Sequence, residues 1–146
     1  MASTPYPTTN GVAIAGITTI SIPQPLVGMA SAADVLTDYV VPFSFQVLGL
    51  RFHLNTVVST GSKAATVTLS TGATGAATAV PGCALALTSA NQTPAGKITL
   101  APATNLGVNA TVFPAGTKIN LKSTSVTAFS EGAGTFLIDL KNCDEA

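Results

Sequence analysis

The sequence predicts an all-β protein: one antiparallel β-sandwich of about seven or eight strands, preceded by an extended N-terminal arm. Three observations predict it. Short apolar–polar alternations recur from Phe43 onward, separated by Gly-, Pro- and Ser-rich turns. No stretch beyond residue 42 carries an i, i+3, i+4 apolar stripe of any length. β-Branched Thr and Val dominate, which suits a pleated surface. The 146 residues suffice for one domain with a core that needs no disulfide staple. The expected division is an arm over residues 1–42 and a sandwich over residues 43–146.

The arm is set apart by proline. Pro5, Pro7, Pro23, Pro25 and Pro42 are five of the chain's 9 prolines, and proline resists both helix and central strand. The segment is nevertheless apolar, with Val12, Ile14, Ile17, Ile20, Ile22, Leu26 and Val27, so it is expected to lie extended on another surface; with Tyr39 these are the candidate interaction residues. Ser31 followed by Asp34 imitates a capping box and suggests one helical turn over Asp34–Tyr39.

Beyond the arm, Phe43, Phe45 and Val47 alternate, then Leu50, Phe52 and Leu54. The phase slips at Leu48-Gly49, where a bulge is expected in a long bent strand able to serve both sheets. After a turn at Thr60–Lys63, Ala65, Val67 and Leu69 alternate with Thr66, Thr68 and Ser70. Residues 72–82 read as a loop or two short edge strands. Cys83, Leu85 and Leu87 alternate next, then Ile98 with Leu100, and Leu106, Val108, Ala110 with Val112. Pro114-Ala115-Gly116 is a tight turn before Ile119 and Leu121, and the last strand runs Thr135–Lys141 with Phe136, Ile138 and Leu140 on one face.

Charge is scarce: 8% of residues, against roughly 25% in an average soluble domain, with a formal net charge of zero. The surface must then be Thr, Ser, Asn, Ala and Gly, as on a protein packed against neighbours. Arg51, Lys63, Lys97, Lys118, Lys122 and Lys141 are scattered, which argues against nucleic acid as a partner; Lys118 and Lys122 share a lightly solvated strand face. Val12–Ile22 is interrupted by Thr18, Thr19 and Ser21 and is too short to cross a bilayer, so no membrane partner is expected. No signal peptide is recognisable, which points to a protein made in a cytoplasm. Cys83 and Cys143 form no C-x-x-C unit; a disulfide between them is geometrically open, and two reduced thiols are the favoured reading. Asn91-Gln-Thr93 and Asn109-Ala-Thr111 match a glycosylation pattern by chance in a Thr-rich chain.

The titratable residues point away from enzymes, and no catalytic, cofactor-binding or metal-binding residues are predicted. His53 is the 1 histidine, which excludes a two-His metal centre, and on its strand it faces away from Phe52 and Leu54, toward solvent or a subunit contact. Asp139 is expected beside Lys141 as a solvated pair. Glu131 sits in a Gly-flanked loop and reads as a polar residue of a hairpin connection. There is no G-x-S-x-G elbow at Ser44 or Ser59, no P-loop at Gly72 and Gly75, and no dinucleotide fingerprint at Gly132 and Gly134.

The stretches Asp38-Tyr-Val-Val-Pro-Phe-Ser-Phe45, Phe113-Pro-Ala-Gly-Thr-Lys-Ile-Asn-Leu121 and Phe129-Ser-Glu-Gly-Ala-Gly-Thr-Phe-Leu-Ile-Asp-Leu140 resemble small virion proteins of tailed bacteriophages. The resemblance covers residues 38–141 and rests on turns and strands rather than chemistry. Among such proteins the chain is similar to jelly-roll capsid decoration, or cement, proteins. The resemblance implies a homo-oligomer, a trimer in many cases, bound to the major capsid protein on the outer shell and gripping neighbours with a terminal arm. It implies a location in the virion after synthesis in the host cytoplasm. On this view, deleting residues 1–37 abolishes attachment and leaves the sandwich folded. The alternative is a receptor- or glycan-binding head or tail-fibre module, for which the aromatic supply, with no Trp and 2 Tyr, is poor.

Overall fold

A computed structural model describes residues 16–27, 29, 34–93, 96–101 and 111–143. Among the described residues, eight strands follow one another without a helix: β1 (Ile17–Pro25), β2 (Asp34–Val40), β3 (Phe45–Thr56), β4 (Ala64–Thr71), β5 (Thr78–Thr88), β6 (Ile98–Leu100), β7 (Lys118–Thr127) and β8 (Ala133–Asn142). They form two four-stranded sheets with orders β1-β8-β3-β6 and β2-β7-β4-β5. All pairs are antiparallel, as expected from the alternating patterns. The pairs β1–β8, β2–β7, β3–β6 and β4–β5 are nested, as in one long hairpin whose tip is the β4–β5 connection. Wrapping that hairpin brings β8 against β3 and β7 against β4, which completes both sheets and gives the jelly-roll-like order.

The period-two pattern decides which side chains fill the space between the sheets. β3 contributes Val47, Leu50, Phe52 and Leu54, and β8 contributes Phe136, Ile138 and Leu140. The second sheet answers with Val67, Leu69, Cys83, Leu85, Leu87, Ile119 and Leu121. The expected bulge is present: the β3–β8 register shifts between Val47 and Gly49, which returns Leu50 to the inner face. Among the described strands, β3 pairs with β8 and β6 of the first sheet and with none of the second, so it serves one sheet rather than both. The Gly72–Gly82 region divides into a short turn and the start of β5, whose register slips between Thr68 and Ser70 of β4. The expected strand through Leu106, Val108 and Ala110 lies outside the described residues.

The arm expectation is corrected for the residues that are described. β1 pairs along its whole length with β8, placing Ile20 opposite Ile138 and Ile22 opposite Phe136. Both isoleucines pack against the core, and Leu26, Met29 and Val41 are buried within it. The physical reason is spacing: Ile20 and Ile22 are two residues apart, so one face of an extended strand can cover the flank of β8. The helical turn expected over Asp34–Tyr39 is instead β2. Its pairing with Leu121 and Ile119 buries part of Leu36, and the strand absorbs a kink at Asp38, which has φ 50°. The first half of the segment, with Val12 and Ile14, lies outside the described residues.

Phe52 and Phe136 sit in cross-strand register with ring centroids 4.7 Å apart. Gly134 makes that arrangement possible, because a Cβ there would collide with the His53 carbonyl and the Phe52 ring. Replacing Gly134 by Ala should therefore lower stability by about 1–3 kcal/mol in urea unfolding. Gly61→Ala, in open space, should change it by about 0.5 kcal/mol or less. Deleting residues 1–37 removes β1 and most of β2, so it should abolish the cooperative unfolding transition seen by circular dichroism rather than leave a folded sandwich.

Candidate interaction surface

Three polar clusters fix the loops and one outer face. Glu131, just before β8, receives hydrogen bonds at Oε2 from the Ser59 and Thr60 backbone N–H groups, at 2.6 and 2.5 Å. The Ser59 hydroxyl donates to Oε2 at 3.0 Å and the Thr60 hydroxyl to Oε1 at 2.8 Å. This half-exposed carboxylate ties the β3–β4 connection to the β7–β8 connection. It is a loop clamp rather than a simple solvated hairpin residue. The donors, the Thr60 N–H above all, hold its pKa down from 4.5 to about 2.

The second cluster holds the tip of the long hairpin. Asp38 accepts from the Thr74 N–H and hydroxyl, both at 2.9 Å, while its own N–H donates to Asn120 Oδ1 at 2.7 Å. The nearly buried Asn120 amide donates in turn to the Gly72 carbonyl at 2.7 Å. The Thr74 N–H, then its hydroxyl, and at longer range the Lys118 charge hold the Asp38 pKa below the usual carboxylate value. A shallow recess beside the cluster is lined by Asp34, Ser70, Thr74, Asn120 and Lys122.

The third cluster lies on the outer face of the first sheet. Arg51 donates to both Asp139 oxygens, at 2.8 and 3.0 Å, and the Thr19 hydroxyl donates to Asp139 Oδ1 at 2.7 Å. Asp139 thus pairs with Arg51 across the β3–β8 ladder, not with Lys141, because the bulge at Gly49 places Gly49 rather than a bulky residue directly opposite Asp139. The pair is bidentate and partly screened from water, with side chains 33% and 19% exposed, which places it toward the upper end of the ~0.2–1 kcal/mol of surface pairs. His53 stands on the same face, opposite Ile98 and Thr135. Cys83, buried in β5, and Cys143, half-buried just after β8, are not joined by a disulfide.

The candidate interaction residues divide sharply. Leu26 is buried, and Ile20 and Ile22, both half-buried, pack on the chain's own core, so these three are taken up wholly or in large part by the fold itself. Ile17, Val27 and Tyr39 are exposed. The structure adds Val40, which with Ile17 and Tyr39 lies at the end of the sandwich where β1 begins and β2 ends. It also adds Ile98 and Leu100 on the outer face of β6. The sequence signals that Ile98 and Leu100 share a face, but alternation does not say which face, and three residues of strand are too few to define one.

No family model matches the chain, and no curated protein matches it. A solved structure described by the words "Bacillus endospore appendages form a novel family of disulfide-linked pili" is similar to 87% of this chain over 88% of that one, at 12% identity and a TM-score of 0.40. That score is too low to carry fold or function from one chain to the other.

The clamp at Glu131 has a pH signature. A carboxylate with a depressed folded pKa stabilises the fold above its unfolded value near 4.5, and that contribution is lost as pH falls toward about 2. Glu131→Gln should therefore be less stable than the natural chain at pH 7, and the difference should narrow between pH 4.5 and 2 in urea titrations taken across that range.

Proposed function

We propose that this chain is a structural protein of a virus particle, a capsid decoration protein that binds the outer surface of a phage shell and stabilises it. The observation that carries the reading is the combination of 8% charged residues with Ile17, Tyr39 and Val40 left exposed at one end of the sandwich. A jelly-roll-like sandwich with so neutral a surface suits permanent contact with neighbours, where apolar burial contributes roughly 25 cal/mol per Å² before ordering costs. The resemblance over residues 38–141 supplies the choice of a phage shell and of the major capsid protein as partner. The expected arm is not the gripping element over Ile17–Pro25 and Asp34–Val40, since those strands belong to the two sheets. Attachment is assigned instead to the exposed apolar residues at the β1–β2 end.

Binding of the purified chain to undecorated capsids tests this. Occupancy should change little between low and high salt, because few charges are available to the contact. Tyr39→Asp combined with Val40→Glu should weaken attachment by about tenfold or more while leaving the unfolding transition in place. A steep loss of occupancy with salt, or full attachment by the double variant, would count against the proposal.

A further inference from the structure

We infer that the open edge of β1, over Ile17–Ser21, is a self-association site that pairs antiparallel with the same edge of a second copy. The inference goes beyond the proposed function and does not depend on the identity of the shell. It starts from the direction of the backbone groups. Asn142 N–H donates to Gly16 O at 2.7 Å and Leu26 N–H donates to Gly132 O at 2.9 Å, at the two ends of the β1–β8 ladder. Antiparallel hydrogen-bonded pairs recur at every second residue, so the even-numbered residues of β1 face β8. The odd-numbered residues Ile17, Thr19, Ser21, Pro23 and Pro25 direct their backbone groups away from it. The prolines therefore stand where no ladder hydrogen bond is lost, and they blunt the second half of the edge. The first half keeps three N–H and three C=O groups that no described residue pairs.

The other described edges are protected. β2 carries Asp34 and Asp38 and two register shifts, β5 carries Pro81 and a register shift, and β6 has 3 residues. Ile17–Ser21 has no charge, no proline and no bulge, and Ile17 is 66% exposed. Such an edge is a template for another strand.

A second copy fits it by symmetry. An antiparallel two-fold centred on Thr19 sets Thr19 against Thr19 and Ile17 against Ser21, forming about six hydrogen bonds. The uncharged run brings no like charges together across the axis, and Pro23 falls outside the paired segment. On the inner face, Thr18 of the second copy would cover Ile20, which is only half-buried at the open flank. The contact is two-fold, so the three-fold assembly implied by the resemblance would need a different surface.

Light scattering and sedimentation of the full chain across a dilution series test the inference. The mass should fall by half on dilution, and Ser21→Pro, which removes an outward N–H without touching the β8 ladder, should raise the dissociation constant by about tenfold or more. In a Cys143→Ser background, Thr19→Cys should form a disulfide-linked pair on mild oxidation, whereas Thr18→Cys, pointing inward, should not. If the proline variant fails to fold, the cross-link decides alone. A single-chain mass at every concentration, an unchanged mass for Ser21→Pro, or no Thr19→Cys pair overturns the inference. So does a single-chain species whose Ile17, Thr19 and Ser21 amides resist hydrogen exchange, since the edge would then be covered by the chain's own residues 1–15.

Discussion

The fold depends on β8 being paired along both edges. β3 lies on one side and β1 on the other, so residues near the two ends of the chain are neighbours across one strand. This doubly paired strand presents Phe136, Ile138 and Leu140 to the inter-sheet space, with Phe136 against Phe52. Gly134 is required where the Phe52 ring crosses the ladder, because no side chain fits there. The nested hairpin can close only once β8 has arrived between its two partners. Most of the contacts that hold the molecule are therefore long-range in sequence, a topology whose loop-closure cost falls on folding rate more than on stability.

With so few charges, three of the carboxylates are placed in defined roles. Glu131 is surrounded by four donors from Ser59 and Thr60, Asp38 by the Thr74 N–H and hydroxyl, and Asp139 by Arg51 and Thr19. Each ties together elements far apart in the sequence. Hydrogen bonds to a carboxylate are about twice as strong as neutral ones, so three such clusters fix loops that Gly, Thr and Ala alone would hold loosely. The free surface left over is mostly hydroxyl, amide and small apolar groups. That leaves shape and apolar contact, more than charge, to select partners.

The edges of the sheets express the same economy of charge. With few charges available, the chain protects its edges with two aspartates on β2 and otherwise with proline, bulges and short strands. Pro23 and Pro25 are informative in this respect. Read in the sequence, they mark a segment that should stand off from the sheets; in the structure, they occupy the outward positions of an edge strand, where a missing N–H costs nothing. The same residues are thus compatible with both readings, and the register with β8 distinguishes them.

The sequence by itself determined the class of the fold, the inner faces of most strands and the bulge at Gly49, because side chains alternate across a strand with a fixed period of two. It determined too that charge would be scarce on the surface, since composition bounds what any fold can display. Tertiary structure decided the fate of Ile17–Pro25 and Asp34–Val40, which strand each edge meets, and which of the described apolar residues remain uncovered. Alternation specifies that Ile20 and Ile22 share a face, but not whose surface they cover; pairing with Ile138 and Phe136 of β8 settles it, and pairing between residues so far apart in sequence leaves no local trace in the chain. For the same reason the donors around Glu131 and Asp139 could not be read in advance: each comes from a segment brought close only when the long hairpin wraps.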